Sequence, residues 1–543
     1  MRRFIPRSPA RRCPPALHIA LALFALLALP GVPRAQPAAP GTTYELLGER
    51  LQRRFETMDF GGGRLAALVT DGRLPIVAYA RDEHQPLAAG SLIQILTAAA
   101  ALDWLGPEFQ FKTELRMTGN RAGRTLNGDL IVIGDGDPTI GSVHRRPPPK
   151  RKRPGFLLLR GAARLVPNEA AACELFDDWT AQLRQRGIRR VEGRVIGDAA
   201  RFDGEGAAPG WPMRQRGSAR LPTISALNFN DNCLDFFWHA SNRIGMLADF
   251  SLFPRLPGYN HVSNNVRVQM VSPAERRYER VEVGNLIAAI GSLSPASVAH
   301  DRAAIASPPE FFAVALQRRM EARGIAFGGE PAAAGNLSPG EMSPAGELLA
   351  THLSPPLPEI LADMLRHDAA LHAECILKTV GLAESQAETG GSFAAGVRAV
   401  QTMLRRQRVG GSPPTLLDGS GRSTLNRVSP AHLVRTMQAM LTGPQGQVFE
   451  RLLPRAGDAG VLEGHFQGRG DAEAAEPVDA KPPVWAIPAA GEGYQALAGW
   501  AEARGGRRFL FAFMVEGSAL PATVLRDNLD RLVLEITRLP TQP

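Results

Sequence analysis

The stretch Tyr79-Ala-Arg-Asp-Glu-His-Gln-Pro-Leu-Ala-Ala-Gly-Ser91, continued by Leu92-Ile-Gln94 and by Ile95-Leu-Thr-Ala-Ala-Ala-Ala-Leu102, decides how this chain is read. Ser91 opens an apolar helix that runs to Leu105, where Gly106-Pro107 stops it. A serine in that place sits at the positive end of a helix dipole, which favours charge developing on an oxyanion. Taken alone, it reads as an ordinary N-cap.

Working outward, 543 residues at roughly 150 per domain give two to four domains. A composition of 44% hydrophobic and 21% charged residues excludes a disordered or collagen-like chain. The net charge of +9 does not mark a nucleic-acid binder, because it is concentrated in two places. Arg2, Arg3, Arg7, Arg11, Arg12 and Arg34 stand in residues 1–35, which hold no acid. Arg145, Arg146, Lys150, Arg151, Lys152 and Arg153 form a second run, and the rest of the chain is slightly acidic. That run has no interleaved aromatics for stacking on bases. It reads as a solvated loop, with an anionic lipid or glycan surface as the alternative ligand.

Residues 1–35 read as an export signal: an Arg-rich start, then Ala16–Leu29, apolar apart from His18 and short for a membrane span. The expected location is periplasmic. Cys173, Cys233 and Cys375 follow, an odd number at wide spacing with no CxxC pair, and are expected to be buried apolar residues. The five lysines are Lys112, Lys150, Lys152, Lys378 and Lys481, so a mechanism needing a lysine has few candidates.

Helical texture flanks a β-rich middle. The simplest organisation is an outer domain from 36–110 and 296–543, interrupted by an inserted β-rich region at 111–295 with a basic loop at 144–155. Val143–Gly155 and Gly468–Pro483 look mobile, and Pro37–Pro40 looks like a linker.

Several further stretches follow the Ser91 region. They are Gly128-Asp-Leu-Ile-Val-Ile-Gly-Asp-Gly-Asp-Pro-Thr139, Val195-Ile-Gly-Asp-Ala-Ala-Arg-Phe-Asp-Gly204, Ser225-Ala-Leu-Asn-Phe-Asn-Asp-Asn232 and Leu417-Asp-Gly-Ser-Gly-Arg-Ser-Thr-Leu-Asn-Arg-Val-Ser-Pro430. In this order they resemble the class C penicillin-binding proteins, serine D-alanyl-D-alanine carboxypeptidase/endopeptidases. The resemblance covers nearly the whole chain after the signal. It implies an α+β penicillin-recognising serine peptidase fold (the β-lactamase/transpeptidase type), Ser91 as the nucleophile position, no cofactor and no metal.

The family's chemistry rests on SxxK, SxN and KTG. Three residues after a helical serine, a lysine faces the same side and can take its proton. Here that position is Gln94, whose amide is not a base. Counting back from Ala373-Glu374 through Leu371 puts Asp368-Ala369-Ala370 where the family has SxN. Ile487-Pro488-Ala489 stands in place of KTG, and the proline removes a backbone donor from the strand. All three losses weaken proton transfer and the grip on a substrate carboxylate. Asp418-Gly419-Ser420-Gly421 is the best-kept motif and reads as a turn shaping the cleft.

Asp368 or His367 could replace the missing base, but both are expected to be solvated helix-face residues. His367 and His372 are five apart, which does not put both on one helix face for a metal. Gly134-Asp-Gly-Asp137 lacks further calcium ligands and reads as a turn. The expectation is an exported cell-wall protein of this peptidase family with impaired catalysis, binding peptidoglycan stem peptides or a partner. The alternative is an active carboxypeptidase/endopeptidase using Ser91 with a relocated base. Lys378 or Lys481 within about 3 Å of the Ser91 oxygen would favour that alternative.

Overall fold

Every residue from Phe509 to Val515 is buried, and a strand sends alternate side chains to opposite faces. Phe509, Phe511, Phe513 and Val515 belong to one core, and Leu510, Ala512 and Met514 to another. Such a strand needs cover on both sides. A computed structural model, describing residues 36–37, 42–152, 164–271, 274–281, 285–338, 346–466 and 481–540, shows how that cover is supplied. The expected signal and the Gly468–Ala480 stretch lie outside the described residues.

Helix α1 (Thr43–Thr57) leads to strands β1 (Arg64–Asp71) and β2 (Ile76–Arg81) and then to helix α2 (Ile93–Trp104). After the long excursion come helices α3 (Leu357–His367), α4 (Ala370–Ser385), α5 (Phe393–Arg406) and α6 (Pro430–Thr442). Strands β3 (Val484–Gly491), β4 (Tyr494–Glu502) and β5 (Arg508–Glu516) follow, and helix α7 (Ala522–Thr537) closes the order. The six-stranded sheet runs Gln36–Pro37, β2, β1, β5, β4, β3, so Pro37 of the expected linker is part of a strand. Pairing is antiparallel apart from Gln36–Pro37 against β2, and β3 is an edge.

Leu47, Leu51 and Phe55 of α1 and Leu525, Leu529 and Leu532 of α7 cover the Phe509 face. The Leu510 face packs on α2 to α6. Helix α2 is apolar apart from Gln94, Thr97 and the exposed Asp103, and every residue from Ile93 to Leu102 is buried, as a helix in the middle of a layer requires. Ser91 stands at the start of that helix and is itself buried.

The excursion builds a second core. Its five-stranded sheet runs Ala332–Ala333, Val195–Asp198, Leu130–Ile133, Lys112–Met117, Glu347–Leu353. Two three-stranded sheets join it, centred on Cys233–His239 and Leu286–Leu293. This core takes in residues beyond 295: the strand Val298–Ala304, the helix Pro308–Ala322 and the strand Glu347–Leu353 all contribute to it. Cys173, Cys233 and Cys375 are buried and unpaired.

The basic run differs from the expected solvated loop at its start. Arg145 pairs with Glu359 at 2.7 Å and with Asp363 at 2.6 Å. Arg146 reaches the fully buried Asp235 at 2.7 Å and lies over the Phe253 ring. Two of the six charges therefore fasten the excursion to α3 and to its own core, and neither is left for an anionic surface. Lys150–Lys152, with Arg151 between them, form a short strand against Arg164–Val166, and Arg153 lies outside the described residues. Among the described residues no helix is long and apolar enough to cross a membrane.

Candidate active site

Ser91 sits in a single 3-10 turn, Gly90–Leu92, that feeds directly into α2. Gly90 has φ +47°, and a side chain there would begin 2.6 Å from the Tyr494 hydroxyl, so the turn before Ser91 needs a glycine. The serine is 8% exposed. Its hydroxyl donates to Oδ1 of Asp368 at 2.7 Å.

Asp368 is the left-handed link, φ +52°, between α3 and α4. It is not the solvated helix-face residue that sequence reasoning expects, because the αL turn swings it off the helical path and onto α2. The same Oδ1 accepts from Gln94 Nε2 at 2.6 Å, and Oδ2 accepts from Arg422 Nη2 at 2.6 Å. Arg220, largely exposed, lies 3.8 Å from Oδ2. One carboxylate thus gathers a hydroxyl, an amide and two guanidinium groups. His367, the other candidate base, instead stacks on His144 with ring centroids 4.6 Å apart.

The Asp418–Gly421 turn lies against Ser91 and is tied from three directions. Gln94 Nε2 and Thr97 Oγ1 of α2 donate to the carbonyls of Ser420 and Gly419 at 3.2 and 2.8 Å. Glu374 of α4 accepts the amides of Gly419 and Ser420 at 2.8 and 2.9 Å. Burial, and then the charge of Asp418, hold the Glu374 carboxyl well above the ordinary carboxylate range. Asp418 itself accepts from Trp211 Nε1, Asn426 Nδ2 and the amides of Gly421 and Ser423. Gly421 has φ +81°, and a Cβ there would lie 1.8 Å from the carbonyl oxygen of Gly90. The turn is a scaffold on which the nucleophile loop rests.

The positions expected to hold the third motif are apolar where they meet this loop. Ile487 and Ala489 are buried in the core that contains α2, and Ala489 abuts Gly90. Pro488 pairs with Leu497 on the edge strand β3. Ala370 begins α4 and is buried. Both candidate lysines are engaged elsewhere. Lys378 is fully buried, held by Asp203 Oδ1 at 2.5 Å, by the Glu205 carbonyl at 2.8 Å and by the Phe393 ring. Lys481 pairs with Asp458 at 3.0 Å.

The geometry adds two residues that sequence reasoning did not single out, Arg422 and Tyr494. Arg422 directly follows the Asp418–Gly421 turn, and a charged side chain at the tail of a glycine turn beside a nucleophile was a legible signal. Tyr494 lies on β4, and nothing local to it points to the cleft. Its hydroxyl is raised above the ordinary tyrosine range chiefly by burial, with Arg422 opposing.

The family model of the D-Ala-D-Ala carboxypeptidase 3 (S13) family matches residues 48–538. The chain belongs to that family. A D-alanyl-D-alanine carboxypeptidase of Actinomadura sp. (strain R39) is 27% identical over 84% of this chain and 79% of its own length. D-alanyl-D-alanine carboxypeptidase DacB of Haemophilus influenzae is 24% identical over 70% and 71%. The crystal structure of penicillin binding protein 4 (dacB) from Haemophilus influenzae superimposes with a TM-score of 0.71 at 21% identity, over 90% of this chain and 99% of that one. The α+β penicillin-recognising serine peptidase fold is thereby shown. Within it, Ser91, Gln94 and Asp368, three of the expected motif positions, come together in one hydrogen-bonded cluster.

Proposed function

We propose that this chain is an exported member of the S13 family that binds D-alanyl-D-alanine stem peptides of peptidoglycan without efficient turnover. The observation that carries this reading is the set of bonds on Asp368. Acyl transfer needs the Ser91 proton to leave as the oxygen attacks. Here the proton points at a carboxylate already engaged by Arg422 and Gln94. Moving it there would place a neutral acid against a guanidinium and dissolve the ion pair. Loss of a serine's activating base costs on the order of 10⁴- to 10⁶-fold in comparable enzymes.

Calorimetry with a stem peptide ending in D-alanyl-D-alanine, alongside chromatography for released D-alanine, tests the reading. Binding without release is expected. Release by the wild type that disappears in Ser91→Ala contradicts it.

The 2.7 Å Ser91–Asp368 bond specifically favours a second reading, an active carboxypeptidase/endopeptidase with Asp368 as the relocated base. That reading requires Arg422 to leave Asp368 when substrate arrives. Its mark is release of D-alanine that is lost in Asp368→Asn.

A further inference from the structure

Every residue from Ser241 to Leu247 is exposed, and Ile244, Met246 and Leu247 retain 64%, 54% and 46% of their surface. Backbone bonds of 2.8 Å, from Gly245 N to the Val268 carbonyl and from Val268 N to the Met246 carbonyl, tie this segment to the end of the strand His261–Val268. Just beyond that end, Met270 and Val271 are 76% and 37% exposed. Five apolar side chains therefore share one tip of the inserted region. Soluble proteins rarely leave such a cluster open to water without a use for it.

Within the tip itself the charges are positive, and the exposed Asp249 and Glu275 stand just outside it. Arg243 and Arg267 are both exposed, and neither Ser241–Leu247 nor Arg267–Val271 contains an acid. Arg267 is fixed over the turn by a 2.9 Å bond from Nη1 to the Gly245 carbonyl. An apolar tip rimmed by guanidinium groups suits a bilayer interface, where the side chains enter the acyl boundary and the cations meet phosphate. A second copy of the chain would bring these arginines against their own counterparts.

We propose that this tip docks the protein on the surface of an anionic lipid bilayer. The proposal does not depend on what happens at Ser91.

Oxidation of Met246 and Met270 in the full chain by dilute hydrogen peroxide, followed by mass spectrometry, reads the tip residue by residue. The apolar Ala16–Leu29 segment is common to all samples. Saturated-chain vesicles of phosphatidylglycerol and phosphatidylcholine in equal parts should slow both oxidations by about fivefold or more, and phosphatidylcholine alone much less. Arg243→Gln/Arg267→Gln should lose the difference between the two lipids. Unchanged oxidation on anionic vesicles overturns the proposal. So does slowing that follows protein concentration without lipid, which assigns the tip to self-association, and so does full protection retained in the arginine variant.

Discussion

The hydroxyl of Ser91 lies 2.7 Å from Oδ1 of Asp368, and Gln94 Nε2 lies 2.6 Å from the same oxygen. Ser91, the proposed nucleophile position, thus forms one hydrogen-bonded unit with Gln94 and Asp368, the residues proposed to stand for the lysine and the second-motif serine. Changing one member leaves the other two in their present roles. Gln94→Lys alone should put an ammonium group on Asp368, which then holds it as an ion pair instead of releasing it as a base. Acylation by a penicillin should stay at background. Gln94→Lys/Asp368→Ser removes that trap, and the double variant should acylate measurably faster than either single change, as read by mass spectrometry of the intact protein.

Arg422 and Asp368 are 13% and 18% exposed, so their 2.6 Å pair is largely shielded from water. Arg422→Leu leaves the Asp368 charge with the exposed Arg220 at 3.8 Å as its remaining cation. The expected loss is about 1–3 kcal/mol of unfolding free energy in urea. Adding Asp368→Ser should restore part of it, giving a coupling energy of about 0.5–3 kcal/mol in a double-mutant cycle. Additive losses would mean the pair contributes nothing.

Gly421→Ala should be among the most damaging single substitutions. A Cβ there would fall 1.8 Å from the Gly90 carbonyl and 2.9 Å from the Ser91 amide. Gly464 offers the comparison: its φ of +82° is nearly the same, but the nearest atom to an added Cβ is 3.7 Å away. Gly464→Ala should cost about 1 kcal/mol through backbone conformation alone. Gly421→Ala should cost more than about 4 kcal/mol or fail to fold. Equal costs would show that the turn does not bear on the nucleophile loop.

The fold was legible through the resemblance of the quoted stretches, and single elements through local signals. The apolar run of α2 and the Gly106-Pro107 stop each follow from neighbouring residues. Counting from quoted motifs singled out Gln94 and Asp368, which the fold brings to Ser91. The surroundings of Asp368 could not be placed in this way. Its position depends on a left-handed residue between two helices, and its partners come from residues 274 and 54 positions away. The same holds for Arg145 and Arg146, which read as solvated cations until Glu359, Asp363 and Asp235 arrive from distant segments. Ion pairing across a fold leaves no periodic trace in a sequence.

His372 carries a pH dependence of definite sign. It is fully buried, and neither ring nitrogen has a hydrogen-bond partner. Burial first, and then the neighbouring His144, push its imidazole down to about 3, against about 6.5 when unfolded. The native state therefore prefers the neutral ring. Its contribution to stability is fully present above about pH 6.5 and is lost as pH falls from there through about 3. His144 and His367 are also lowered, chiefly by burial, and act in the same direction. In His372→Phe the fall in thermal midpoint between about pH 7 and pH 4 should be smaller than in the wild type. An unchanged fall would place the titration elsewhere.

The central claim is that Asp368, held by Arg422 and Gln94, keeps Ser91 from acting as a nucleophile. Covalent labelling by a fluorescent penicillin tests it most directly, with Ser91→Ala and an intact S13 enzyme run in parallel. The account predicts no label on the folded wild type over hours, while the intact enzyme labels. Label that appears on the wild type and vanishes in Ser91→Ala would contradict it, and its loss in Asp368→Asn as well would make Asp368 the working base.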